Sequence, residues 1–274
     1  MSSKTLANIR DYARTLLSEP SPSYWSNTEL NTYINDGLED FCNQTDCLED
    51  ISTASLVAYK ADYAIPTDST KIKQVEIVKG NSVYLLRPED LQEHYEGTVK
   101  STSNPPNYYN YFEGNLRLRE RPSTSAQSTT LSAEISSTSA TSLTVTSASG
   151  LPRMGRILID SEVIVYWAIS GTTLSPCVRG AEGTTAATHS NGATVTLRDI
   201  WVYHYKKETL TSDTQTPTIP TQFHEAPAYY AASVGRRKSK DHDLAREYMQ
   251  TYNEFVAKGI EWAKMHWRKT WRPK

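Results

Sequence analysis

Ser26-Asn27-Thr28-Glu29-Leu30-Asn31-Thr32-Tyr33-Ile34-Asn35-Asp36-Gly37-Leu38-Glu39-Asp40-Phe41 is the stretch on which the fold turns. Leu30, Tyr33, Ile34, Gly37, Leu38 and Phe41 recur at helical spacing and form one apolar face. Ser26 followed by Glu29 reads as a capping box, each side chain satisfying an orphan amide of the first turn. One amphipathic helix cannot bury its stripe alone, so partners must lie elsewhere in the chain. Upstream, Leu6, Ile9, Ala13, Leu16 and Leu17 repeat the pattern until Glu19-Pro20-Ser21-Pro22 stops it. At the other end, helices are expected from Gln222 to about Lys238 and from about Asp241 to Lys269. The last carries Leu244, Tyr248, Tyr252, Phe255, Gly259, Trp262 and His266 on one face, and at about 40 Å it outruns a core of this size. Its end is expected to project.

Between these helices the period switches to two. Ile51–Val57, Asp62–Ile65, Lys71–Val78 and Ser82–Leu86 read as strands, the last two joined by a tight Gly80-Asn81 turn. Arg87-Pro88-Glu89-Asp90 is expected to start one short helix. Tyr108–Phe112 and Leu116–Arg119 form a second hairpin around Gly114-Asn115. At Pro122 the composition changes: 17 of the 28 residues from Ser123 to Gly150 are Ser or Thr. The alternation of Ser142–Ser147 and the β-rich Arg156–Ile159 and Glu162–Ala168 favour a small all-β module over a linker. Thr194–Tyr205 reads as one strand, followed by a Thr/Pro loop from Asp213 to Pro220.

The chain has 274 residues, 38% hydrophobic and 22% charged, with a formal charge of −2. That suffices for a core and excludes both full disorder and a wholly basic nucleic-acid coat. Three cysteines, Cys42, Cys47 and Cys177, are too few for a disulfide scaffold. No apolar run suits a secretion signal or a membrane span, which predicts a soluble protein made inside the cell. Seventeen tyrosines and six tryptophans against four phenylalanines suit half-buried positions and interfaces. Charge is uneven: residues 1–100 hold 9 Lys/Arg against 16 Asp/Glu, and residues 236–274 hold 11 against 5. Two solvated surfaces account for this, and so does an acidic face that repels polyanions paired with a basic arm for an acidic partner.

Motifs of catalysis and metal binding do not appear. The six histidines are scattered, and His224-Glu225-Ala226-Pro227 departs from the metalloprotease helix pattern. Cys42 falls on an apolar helix face and reads as core, not ligand. Gly180-Ala181-Glu182-Gly183-Thr184-Thr185 leads into no helix, so it reads as turns, not a phosphate cradle. The expectation is a non-enzyme with no cofactor and no metal.

The most pointed local feature is Lys264-Met265-His266-Trp267-Arg268-Lys269-Thr270-Trp271-Arg272-Pro273-Lys274. Trp and Arg are the commonest anchors of protein interfaces. The same residues would also serve base stacking with phosphate contacts, or form a solvated helix end.

The order of elements resembles the head-to-tail adaptors of tailed bacteriophages. The resemblance rests on Leu6-Ala7-Asn8-Ile9-Arg10, on Ser23-Tyr24-Trp25-Ser26 through Asn35, and on Tyr63-Ala64-Ile65-Pro66. It resumes at Arg87-Pro88-Glu89-Asp90-Leu91 and Pro105-Pro106-Asn107-Tyr108-Tyr109, then closes with Asp213 to Pro220 and Phe223-His224-Glu225-Ala226. It implies a helical bundle with a small sheet, twelve copies in a ring beneath the portal vertex, and a C-terminal segment that clasps the portal. No catalytic role is implied. Residues of about 127–196 depart from that pattern and look like a β-module of phage structural proteins. Its signature is Gly155-Arg156-Ile157-Leu158-Ile159-Asp160-Ser161-Glu162, Cys177-Val178-Arg179-Gly180 and Gly183-Thr184-Thr185-Ala186-Ala187-Thr188-His189.

The resulting expectation is an α+β body from 1–122 and 197–274 carrying an inserted all-β domain at 123–196. It would be a virion protein of the neck, made in the host cytoplasm. Its expected partners are copies of itself in a ring of twelve, the portal, and tail tube, nozzle or fibre proteins. Genome DNA would pass through a neutral or acidic lumen without specific binding, and no membrane is involved. Portal-binding candidates are Trp262, Lys264, Trp267, Arg268, Lys269, Trp271, Arg272 and Lys274. Alternatives are another neck ring, a stopper or tail hub, or a glycan- or receptor-binding module in which Tyr166 and Trp167 stack on sugar.

Overall fold

A computed structural model describes residues 3–89, 102–112 and 114–270, with backbone alone at 112 and 267–270. Among the described residues the protein is mixed α+β, with four α-helices and many short strands in several small sheets. Two compact units are present. One comprises Met1–Asp50, Asp68–Lys71 and Tyr205–Lys274; the other comprises Ile51–Thr67 and Ile72–His204.

The first unit holds helices α1 (Leu6–Leu17), α2 (Asn27–Thr45), α3 (Ala226–Lys238) and α4 (His242–Thr270). Leu6, Ile9 and Ala13 of α1 meet Ile34, Leu38 and Phe41 of α2, Ala228 and Ala231 of α3, and Tyr252 and Val256 of α4 in one apolar core. Two glycines let the helices approach closely. A Cβ on Gly37 would lie 2.7 Å from the Cβ of Tyr230, and one on Gly259 would lie 2.7 Å from Thr45.

The capping differs from expectation in an instructive way. Ser26 Oγ accepts the Glu29 amide at 3.1 Å, but Glu29 does not return the bond. Its Oε1 is taken by Tyr33 Oη and Lys238 Nζ, both at 2.6 Å. The reciprocal box sits on α1 instead, where Thr5 and Asn8 exchange side-chain-to-backbone bonds.

The loop before α3 fastens the N-terminus of α1. Leu6 and Ala7 amides donate to the carbonyls of Gln215 and Asp213, which satisfies orphan donors of the first turn. Arg10, buried in α1, pairs with both oxygens of Asp213 at 2.7 and 2.9 Å and reaches Asn31 Oδ1 at 3.1 Å. Asn35 exchanges two amide bonds with the Leu210 backbone. His224 accepts the Lys4 amide at Nδ1, so Nε2 carries the proton donated to the Ile219 carbonyl. Residues 222–238 are not one helix: a 3-10 turn at Thr221–Phe223 precedes α3, which has Pro227 in its first turn.

Strands follow in chain order: β1 (Glu49–Ala54), β2 (Asp62–Ala64), β3 (Ser69–Lys79), β4 (Ser82–Leu85), β5 (Arg87–Pro88), β6 (Thr102–Ser103), β7 (Tyr108–Phe112), β8 (Asn115–Leu118) and β9 (Arg121–Pro122). The second set is β10 (Ser128–Thr130), β11 (Leu143–Thr144), β12 (Gly155–Ile159), β13 (Glu162–Tyr166), β14 (Ile169–Ser170), β15 (Thr173–Leu174), β16 (Cys177–Ala181), β17 (Thr194–Leu197) and β18 (Ile200–Lys206). Sheets run β1-β18-β3-β4, β2-β8-β7-β5, β10-β17-β12-β13-β16 and β11-β15-β14, with β6 paired to β9. Both expected hairpins form, with Lys79 opposite Ser82 and Phe112 opposite Asn115.

One helix expectation and one strand expectation need correction. Arg87-Pro88 does not open a helix; it forms β5, parallel to β7, with Arg87 opposite Tyr108. Proline lacks a donor and is accommodated at this sheet edge. The remainder of that expected helix, from residue 90, lies outside the described residues. Thr194–Tyr205 is also two strands, β17 and β18, in different sheets. The break falls at Arg198 and Asp199, whose side chains turn to Thr53 Oγ1 and to the Leu56 amide.

The second unit has two apolar cores. Leu56, Tyr63, Val75, Ile77, Leu86, Tyr109, Leu116, Leu118, Ile200 and Val202 form one. Leu131, Ile135, Leu143, Ile157, Ile159, Ile164, Tyr166, Leu174, Val195 and Leu197 lead the other.

Gly37→Ala tests the close helix approach. The added methyl overpacks the Tyr230 contact, and a loss of about 1–3 kcal/mol is expected by chemical denaturation. Helix propensity alone would move stability the other way, by up to about 1 kcal/mol.

Candidate functional site

The portal-binding candidates belong to α4, 29 residues and therefore about 44 Å long. Ala245, Tyr252, Val256 and Ala263 are buried along it. Trp262 is half-buried, edge-on to Phe223 with ring centroids 6.5 Å apart, and stacked on His266 at 3.9 Å. It is thus fixed to the rim of the helical core. Lys264, Met265 and His266 follow, all exposed. Trp267, Arg268 and Lys269 continue the helix as backbone, while Trp271, Arg272 and Lys274 lie outside the described residues. The helix therefore extends beyond Ala263, its last buried residue among those described.

In the β region the two stacking candidates part company. Tyr166 is fully buried and its hydroxyl donates to the Pro152 carbonyl at 2.9 Å, so its ring cannot meet a sugar. Alternation explains the difference: adjacent residues of an extended segment face opposite sides. Trp167 is 52% exposed.

The module signature resolves into a buried ion cluster. Glu162 accepts two bonds from Arg179, at 2.7 Å each, and one from each of the Gly180 and Ala187 amides. His189 stands between Glu162 and Asp160, each ring nitrogen 2.8 Å from a carboxylate oxygen. Burial alone would raise the Glu162 carboxyl, but the guanidinium, the amides and His189 outweigh it and hold it at about 2. Such a cluster ties the 160–162 turn, β16 and the 187–189 segment together; it presents no nucleophile. A second cluster joins Glu182 to Arg156 at 2.9 Å and to the Thr53 amide and hydroxyl at 2.9 and 2.6 Å. The glycine-rich stretch that contains Glu182 begins at the end of β16 and turns at Glu182-Gly183.

Among the described residues, no group of three or more His, Cys, Asp or Glu side chains is placed to hold a metal. All three cysteines are free and buried. Burial pushes the Cys177 thiol up to about 11, which keeps it protonated and inert. No helix among the described residues is long and apolar enough to cross a membrane.

What these elements define is a scaffold whose polar residues mainly organise its own backbone. Residues 4–170 match the family model described as SU10 adaptor protein. The chain belongs to this family, a phage head-tail adaptor type, and is accordingly a phage structural protein. No curated protein matches the chain.

Glu162→Gln should cost about 3–5 kcal/mol, because it leaves Arg179 buried without its counter-charge. The pH dependence follows from the depressed carboxyl. Its contribution is complete above the unfolded value near 4.5 and is lost as pH falls from there towards 2. Acid unfolding followed by circular dichroism should show this loss in the wild type and a weakened dependence in the variant.

Proposed function

We propose that the chain is a head-to-tail adaptor that forms a ring of about twelve copies, joins the portal at the capsid vertex to the tail, and lets DNA pass. The observation that carries this reading is the outrunning α4. Lys264, Met265 and His266, exposed beyond the last buried residue of α4 among those described, open a segment whose sequence is basic and aromatic, which suits a partner surface. In this reading Lys264, Trp267, Arg268, Lys269, Trp271, Arg272 and Lys274 form a C-terminal arm that docks between portal subunits. Trp262 acts as the hinge side of the arm, since it is packed on Phe223.

The same reading divides the chain into an adaptor body, residues 1–122 and 197–274, built as a helical bundle with a small sheet, and an inserted all-β module at 123–196. The separate apolar core between Leu131 and Leu197 supports it. The module would decorate the ring or receive tail or fibre proteins. With Tyr166 in the core, a glycan-binding alternative retains Trp167 alone. The body has no catalytic task in this reading, and the acidic first hundred residues supply a lumen that does not hold DNA phosphates.

Two measurements test this. Negative-stain images or native mass spectra of the purified protein should show closed rings of about twelve subunits; stable monomers alongside portal-filled heads would overturn the ring. Deleting residues 264–274 removes nothing that is buried among the described residues, so the far-ultraviolet spectrum should persist while co-sedimentation with portal-filled heads is lost. Wild-type stoichiometry of the truncated chain on those heads would overturn the arm.

A further inference from the structure

A cavity of about 430 Å³ opens in the β region, within the range of small-ligand sites. Leu56, Ile77 and Leu197 supply apolar wall, and Tyr84, itself half-exposed, supplies an aromatic ring. Asp199 lines it although only 6% of that residue is exposed. One carboxylate oxygen accepts the Leu56 amide at 2.7 Å, and among the described residues no cation pairs with the other. A buried carboxylate without a counter-charge is costly and marks a site.

The remaining polar lining has a bias. Asn104 spends its amide nitrogen on Thr124 Oγ1, and Gln127 spends its own on the Ser128 carbonyl. Each keeps a second amide N–H, and among the described residues neither side-chain oxygen accepts a side-chain or backbone donor, which leaves both as acceptors in the same lining as the carboxylate. The buried carboxylate and these two acceptors, set against Lys79 as the one cation of the lining, suit a bound cation with several N–H donors. Guanidinium has five in a planar fork and also stacks on aromatic rings, whereas an ammonium has three and does not.

We propose that this cavity is a binding site for an arginine side chain presented by a partner protein, its guanidinium on Asp199 and its aliphatic stem against Leu56, Ile77 and Leu197. Lys79, also in the lining, favours a partner residue that carries a carboxylate next to the arginine. The site is independent of the C-terminal arm and of the ring.

The full-length protein, with isotope-labelled Leu and Ile methyl groups, is titrated at pH 8 with N-acetyl-arginine methylamide and with its neutral isostere, the citrulline compound. Saturable shifts at Leu56, Ile77 and Leu197 are expected for arginine, with citrulline weaker on the order of tenfold. Asp199→Asn keeps an oxygen for the Leu56 amide and should abolish the preference. The wild type gives a check that needs no variant. Burial raises the Asp199 carboxyl to about 7, so arginine binding should weaken as pH falls through that value. The other titratable groups nearby are Lys79, Tyr84, Tyr63 and Arg198, the last paired with Glu182. Equal binding of arginine and citrulline, or no shifts at these methyls, would overturn the proposal. Tighter binding of spermidine than of the arginine probe would also overturn it, by assigning the cavity to a polyamine.

Discussion

Arg10 and Asp213 are 203 residues apart, and the helical unit depends on their meeting. The guanidinium is largely covered, while its partner carboxylate is more than half exposed at the edge of the unit. Hydrogen bonding by Asp213 raises the pKa of Arg10 further and depresses that of the carboxyl. Because the Asp213 and Gln215 carbonyls also take the first free amides of α1, the same short loop closes the helix end and neutralises its buried cation. The N-terminus of the first helix is therefore completed by the C-terminal part of the chain. Asn35 with Leu210, and Lys4 with His224, repeat this arrangement, in each case joining the two ends through a backbone group.

The β region solves the same problem locally. Glu162 meets Arg179, Gly180, Ala187 and His189 within 27 residues of itself, and its apolar core draws only on residues between Leu131 and Leu197. Glu182 does reach outside, to Thr53, but a segment whose apolar core is drawn from within makes few demands on its attachment points. Insertion of such a segment between β9 and β18 would disturb the parent core little, which is the physical content of the proposed domain division.

The helices were legible because their signal is periodic: the stripes in α1, α2 and α4 could be counted without knowledge of their partners. The strand hairpins were legible for the same reason, with Gly80-Asn81 and Gly114-Asn115 as turn markers. Long-range polar pairing was not. Nothing local in Asn8-Ile9-Arg10 reveals that its cation will find Asp213, although both lie in the segments that carry the adaptor resemblance. The break at Arg198-Asp199 was hidden because TVTLRDIWVYHY alternates acceptably on both sides of it. Ser26–Glu29 has the capping-box pattern, yet Lys238 and Tyr33 compete for the carboxylate. Of the candidate site, α4 and its length could be read, whereas Asp199 gave no sign, since burial of a lone carboxylate is decided by tertiary packing.

The surplus of tyrosine, which composition alone assigns to half-buried positions and interfaces, has a structural cause. Tyr12 and Tyr229 share a hydroxyl bond of 2.8 Å, Tyr252 reaches Asp40 at 2.6 Å, Tyr248 reaches the Leu16 carbonyl at 2.8 Å, and Tyr203 reaches Glu76 at 3.1 Å. In each case an aromatic body fills apolar space while the hydroxyl satisfies a polar group at the edge of a thin layer. Phenylalanine would fill the same space and remove that bond, a net loss of about 0.5–1.5 kcal/mol. Small cores with much edge thus favour tyrosine for internal reasons. The aromatic rings that satisfy nothing internally are then the informative ones, and Tyr84 at the mouth of the Asp199 cavity is among them.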